Sequence, residues 1–109
     1  MELAFVARSL RELCENETVA ERELGPQAAE LLKHRLADLR AATSVTDLLA
    51  GRPRTLDGVG ALAMALDISA GIRIVIIANH PSNPLTETGE VEWSKVSRVK
   101  LLRIEKDHE

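Results

Sequence analysis

The stretch from Leu56 to Ile77, LDGVGALAMALDISAGIRIVII, constrains the fold more than any other part of the chain. Leu62, Met64, Leu66 and Ile68 alternate with small or polar residues, the period-2 pattern of a strand with one apolar face. After Ser69-Ala70-Gly71 the chain reads IRIVII, apolar on both faces except for Arg73, as in a central strand covered on both sides. Two such runs joined by a short glycine-containing turn predict a β-hairpin. A single arginine in such a strand is costly to bury without a partner. Arg73 therefore has two readings: an ion pair inside the fold, for instance with Asp67 across the hairpin, or a charge opening onto a functional surface.

With 109 residues, the chain suits a single domain spanning 1–109. It holds one Trp, one Phe and no Tyr, so the core must rest on Leu, Val, Ile and Ala. Functions that need bases stacked on aromatic rings start at a disadvantage. The net charge of −3 excludes a global basic field. The charge is uneven, however: residues 1–50 carry 6 Lys/Arg against 9 Asp/Glu, and residues 51–109 carry 8 against 8. Five bases (Lys95, Arg98, Lys100, Arg103 and Lys106) fall in the last 15 residues. They make either a local nucleic-acid patch or a solvated strand face that discourages edge pairing.

Cys14 is alone, which leaves no internal disulfide and no cysteine zinc site, and its spacing from Leu10 and Leu13 suits a helix core. No apolar run is long enough to span a membrane, and MELAFVARS is too short and too soon charged for a signal peptide. The expected location is cytoplasmic, with no membrane partner.

Leu3 to Val6 suits an opening strand. Ser9, with Glu12 three residues on, predicts a capping box for a first helix that runs to about Leu24. Gly25-Pro26 then stops that helix and starts a second, in which Ala28, Leu31, Leu32, Arg35, Leu36 and Leu39 keep the i, i+3, i+4, i+7 lattice. Thr43 to Gly51 connects, with Val45, Leu48 and Leu49 as plugs, and Arg52-Pro53-Arg54 is a basic element before the hairpin. Asn79 to Trp93 reads as a loop. Val96 to Ile104 is a last strand, in which Leu101-Leu102 breaks the alternation as a bulge would. The expected order is β-α-α-β-β-β: an α+β domain with two N-terminal helices on a small, mostly antiparallel twisted sheet.

No phosphate-binding loop, HExxH motif, cysteine–histidine metal spacing or nucleophile elbow occurs, and neither cofactor nor metal is expected. What remains is a scatter of Arg52, Arg54, Arg73, His80 and His108 at predicted strand ends. Each also has a plain reading: solvated charge for Arg52 and Arg54, a turn residue for His80, a frayed end for His108. His34 sits on a helix as a surface residue.

Taken together, LAFVARSLRELCENE, the Gly-Pro break before a helix ending RLADLRAA, LDG after a basic dipeptide, IRIVI, and VEWSKVSRVKLLRIEKDHE resemble the RelE/ParE toxin superfamily, most closely its HigB-like branch. The resemblance covers nearly the whole chain, and the tail is its most specific part. It implies a toxin of a type II toxin–antitoxin system, held inactive by a cognate antitoxin, for which a helix-turn-helix protein is expected. RelE and HigB members cut mRNA in the ribosomal A site, which implies a ribosome-dependent endoribonuclease with ribosome and mRNA as partners. ParE members poison gyrase, and a degenerate module that only binds antitoxin is a third possibility.

In the cleavage chemistry that the resemblance implies, the RNA 2′-hydroxyl attacks the adjacent phosphate. That reaction needs a proton acceptor, positive charge on the phosphate and a proton donor for the leaving oxygen. Arginine does not give up its proton, so Arg54 and Arg73 would stabilise phosphate charge, and a histidine is the sensible acid or base. Arg73 matches the family's strand arginine and His108 its C-terminal histidine. Arg52, His80, Lys95 and Lys106 would contact RNA. The chain departs from the family pattern at Val59-Gly60-Ala61-Leu62, which is uncharged, at Ile72 and at Asp107, where aromatics are common.

Overall fold

Ala28, Leu32, Leu36 and Leu39 recur at helical spacing and bury one face of the helix Pro26–Ala41 (α3). Pro26 sits in its first turn, where the missing N–H is harmless. The computed structural model describes residues 1–56, 62–69 and 71–106. Ahead of α3, the expected single helix is two, Arg8–Glu15 (α1) and Glu17–Leu24 (α2). The cause is Asn16, which takes an extended conformation (φ −115°, ψ 110°). Its backbone N–H closes α1 on the Glu12 carbonyl at 2.9 Å, and its Oδ1 accepts from Val19 N–H at 3.2 Å to cap α2. The predicted Ser9 cap is not used either: Ala7 holds the capping position of α1 without a side-chain bond.

The strands are Glu2–Phe5 (β1), Arg54–Thr55 (β2), Ala63–Ser69 (β3), Ile72–Ala78 (β4) and Arg98–Lys106 (β5). They form one sheet in the order β1-β5-β4-β3-β2, giving an α+β fold. All neighbours are antiparallel except β1 and β5, which run parallel with Glu2 beside Arg98 and Phe5 beside Leu101. The two-residue strand β2, expected only as a basic element, pairs Arg54 with Ala65 at the edge. The predicted hairpin is present as β3 and β4, turning through Gly71 at φ 77°. The predicted bulge is present too: Val75 pairs Arg103 and Ile76 pairs Leu101, which leaves Leu102 over.

Strand alternation divides the sheet's two faces. Met64, Leu66 and Ile68 on β3, Ile74 and Ile76 on β4, and Val99 and Leu101 on β5 join Leu32, Leu36 and Leu39 of α3 in the core. Each such side chain contributes roughly 1.5–3 kcal/mol on burial. Ala63, Ala65 and Val75, on the other face, are also buried, while Leu62 lies outside the strand and half exposed. In the connecting segment Val45 is buried, but Leu49 stands in solvent at 97 % exposure and plugs nothing. No described helix is long and apolar enough to cross a membrane.

Candidate functional site: a basic groove on the sheet face opposite the helices

The residues between the core positions of β3, β4 and β5 point away from the helices. Asp67, Arg73 and Glu105 are direct neighbours across three strands, so the pleat sets them in one row on that face. They floor a groove of about 840 Å³ whose walls include Arg52, Arg54 and Lys106.

Two carboxylates organise the cations. Asp67 Oδ2 accepts from Arg52 Nε at 2.7 Å, and its Oδ1 accepts from Arg54 Nη2 at 3.0 Å. Glu105 Oε1 accepts from Arg73 Nε at 2.7 Å, and its Oε2 accepts from Arg103 Nε at 2.7 Å. Lys106 Nζ reaches the carbonyl of Glu23 at 2.6 Å, tying the end of β5 to α2. Partial burial pushes the Asp67 carboxyl up, but the arginines Arg52 and Arg54 outweigh it and hold the group below its usual value. Hydrogen bonds from Arg103 and then Arg73 likewise hold Glu105 below the ordinary glutamate value.

The backbone around Asp67 is built for this arrangement. Gly51 (φ 89°) and Arg52 (φ 46°) are consecutive residues in the left-handed region, where a residue other than glycine is strained. The Gly51 carbonyl accepts from Asp67 N–H at 2.6 Å, and Arg35 Nε of α3 donates to the Asp67 carbonyl at 2.9 Å. A Cβ at Gly51 would stand 3.0 Å from that carbonyl and 3.1 Å from Arg35 Nε.

Of the residues predicted for function, Arg52, Arg54, Arg73 and Lys106 converge on the groove. His80 and Lys95 do not. His80 follows the far end of β4 from Arg73, and Ala78 alone is five residues, about 16 Å, along the strand. There His80 N–H donates to Asn83 Oδ1 at 2.8 Å, and its Nε2 accepts from Ser97 N–H at 3.1 Å. Lys95 lies in the 3-10 turn Trp93–Lys95 and faces Glu92 at 3.5 Å. His108 lies outside the described residues.

The predicted Arg73–Asp67 pair is not made, although the two residues are opposed in register. Asp67 is already held by Arg52 and Arg54, and β5, on the other side of β4, supplies Glu105 instead. Sequence reasoning missed Glu105 as a groove residue and Arg103 as its second partner. Their i, i+2 spacing on a predicted strand beside the one that carries Arg73 was the available signal.

Four arginines (Arg52, Arg54, Arg73 and Arg103) thus surround two carboxylates, an excess of positive charge in a chain of net charge −3. Arginine does not deprotonate, and neither carboxylate takes up a proton near neutrality. The described groove therefore supplies fixed positive charge and forked N–H donors, which suits phosphate groups. Among its described residues, none is a neutral-range proton donor. No group of three described His, Cys, Asp or Glu residues stands where it could hold a metal ion.

No family model and no curated protein matches the sequence. Among solved structures, the fold is similar to that of a YoeB/ParE toxin from Agrobacterium tumefaciens, with a TM-score of 0.60 at 14% sequence identity. The match covers 99% of this chain and 100% of that one, so both chains are used from end to end.

Proposed function

We propose that this protein is the toxin of a toxin–antitoxin pair, and that its groove binds mRNA on the ribosome for cleavage. The observation that carries the reading is the convergence of Arg52, Arg54, Arg73 and Lys106 in one groove, on the scaffold of a YoeB/ParE toxin. In this reading Arg73 and Arg54 hold the scissile phosphate and offset the charge that grows as the 2′-hydroxyl attacks. His108, two residues beyond Lys106 in the sequence, supplies a proton to the leaving 5′-oxygen as its bond to phosphorus breaks, and water takes the proton of the attacking 2′-hydroxyl. A cognate antitoxin, of the helix-turn-helix kind, keeps the toxin inactive, and the protein works in the cytoplasm.

Induction in bacteria followed by mapping of transcript 5′ ends tests this. The expected result is new ends within translated codons, reduced roughly 10²-fold or more by Arg73→Ala, in the range for removing one donor to transition-state charge. Loss of cutting by His108→Ala would support its acid role. Growth arrest with intact transcripts would sink the cleavage reading.

A second reading has its own support, because the described groove binds anions without offering a proton. A ParE-like toxin that inhibits gyrase needs no proton transfer. It would give a DNA-damage response with mRNA left intact. A degenerate module would bind antitoxin and leave growth unchanged.

A further inference from the structure

The bulge at Leu102 has a role that phosphate binding alone does not explain. Because Leu102 is left over between two paired positions, Leu102 and Arg103 line the same cavity despite being adjacent in a strand. That cavity, of about 280 Å³, is walled by Leu56, Leu62, Ala63, Ile77 and Leu102. Leu62 is 47 % exposed, so the cavity opens to solvent through an apolar rim. Its polar edge is Arg103 together with Asn83. Asn83 Oδ1 is taken by His80 N–H, which leaves the Asn83 amide NH₂ to donate.

Arg103 is also tied to the basic groove through Glu105, which lines it. Glu105 takes one Nε from Arg73 and one from Arg103, each at 2.7 Å and each on its own oxygen. Both bonds occupy the Nε side of the guanidinium, and covalent geometry turns the outer Nη1–Nη2 edge of each away from the carboxylate. Arg103 pairs with Val75, two residues or about 7 Å from Ile77 at the cavity. One arginine therefore has the groove carboxylate Glu105 on one side and a small apolar cavity on the other.

We propose that Arg73 and Arg103, held by Glu105, form a two-armed phosphate clamp, and that the adjoining cavity seats the base of the same nucleotide. A nucleotide is the ligand chemistry that sets an anion beside a flat, mostly apolar group with polar edges. The cavity falls below the roughly 300 Å³ at which drug-sized pockets begin, which suits one base and no larger group. The proposal extends the reading of the groove as an RNA site and rests on it. Glu105 is a positioning residue here, acting through the two arginines.

The test uses the full-length protein and a short labelled single-stranded RNA, intact or with one abasic position, read by fluorescence polarisation. Amide chemical shifts with adenosine 5′-monophosphate provide a second probe that needs no ribosome. We expect Arg103→Met to weaken RNA binding about tenfold, the loss of one charge-assisted contact. The abasic position should weaken wild-type binding, and that difference should vanish in Leu62→Glu, whose exposed site tolerates the change. Glu105→Gln should weaken binding and Glu105→Asp should restore part of it.

Equal binding of intact and abasic RNA would overturn the base site even if transcripts are cut in cells. Tighter binding by Glu105→Gln would overturn the clamp and make Glu105 a competitor of phosphate. Adenosine 5′-monophosphate shifting the amides of Leu102 and Arg103, with transcripts left intact in cells, would support this site while the cleavage reading fell. Binding of neither probe by the wild type would overturn the clamp and the base site, whatever the transcripts show.

Discussion

Single residues carry the groove. Asp67 accepts two arginines on its carboxylate and a third on its carbonyl, so Asp67→Asn should release Arg52 and Arg54 together. Because its carboxyl is held below its ordinary value, the stabilisation from that charge is present above the unfolded value near 3.8 and lost as pH falls through the folded one. Acid titration of stability should therefore be shallower in Asp67→Asn than in wild type below about pH 4. Cys14 has the opposite sign. Burial pushes its thiol up to about 12 from 9.0, so its contribution is intact below pH 9 and lost as pH rises toward 12. Thermal melts between pH 8 and 11 should fall further for wild type than for Cys14→Ala. Gly51→Ala places a methyl against the Asp67 carbonyl at a left-handed position and should cost about 1–3 kcal/mol in urea unfolding. At this scale the sequence was a fair guide to which arginines matter and a poor one to their partners. Arg73 stood out because it interrupts an apolar run, but nothing local marks Glu105, some thirty residues away, as its neighbour.

Elements show where local chemistry outran pattern. The stretch from Ser9 to Leu24 keeps helical spacing, and periodicity alone does not register one asparagine that competes for backbone groups. Asn16→Ala should remove the cap of α2 and cost about 1 kcal/mol, measurable by thermal denaturation. The lattice of α3 was plain because five apolar positions repeat over four turns. Leu36, 2 % exposed at its centre, should cost about 2–5 kcal/mol on truncation to alanine, read from urea unfolding. Strand β2 was beyond pattern reading, since two residues hold no period. The bulge in β5 was visible in Leu101-Leu102, yet its consequence, a leucine and an arginine sharing one face, emerges only when β4 lies alongside.

Across the whole molecule, the α+β class followed from a helical lattice early in the chain and alternating strands later. The parallel pairing of β1 with β5 did not, because it joins segments about ninety residues apart through no turn or hairpin signal. The helices settle on the opposite face and leave the groove open. The chain's net negative charge sits in residues 1–50, which hold the helices, while residues 51–109, which hold four of the five described strands, balance 8 Lys/Arg against 8 Asp/Glu.

The place of β5 in the sheet bears on when the groove exists at all. Among the described strands β5 is synthesised last, yet it lies between β1 and β4 and supplies Arg103, Glu105 and Lys106. A nascent chain still lacking β5 has two sheet fragments with unmatched inner edges and half a clamp. The groove therefore forms only once β5 has cleared the exit tunnel and taken its place between β1 and β4.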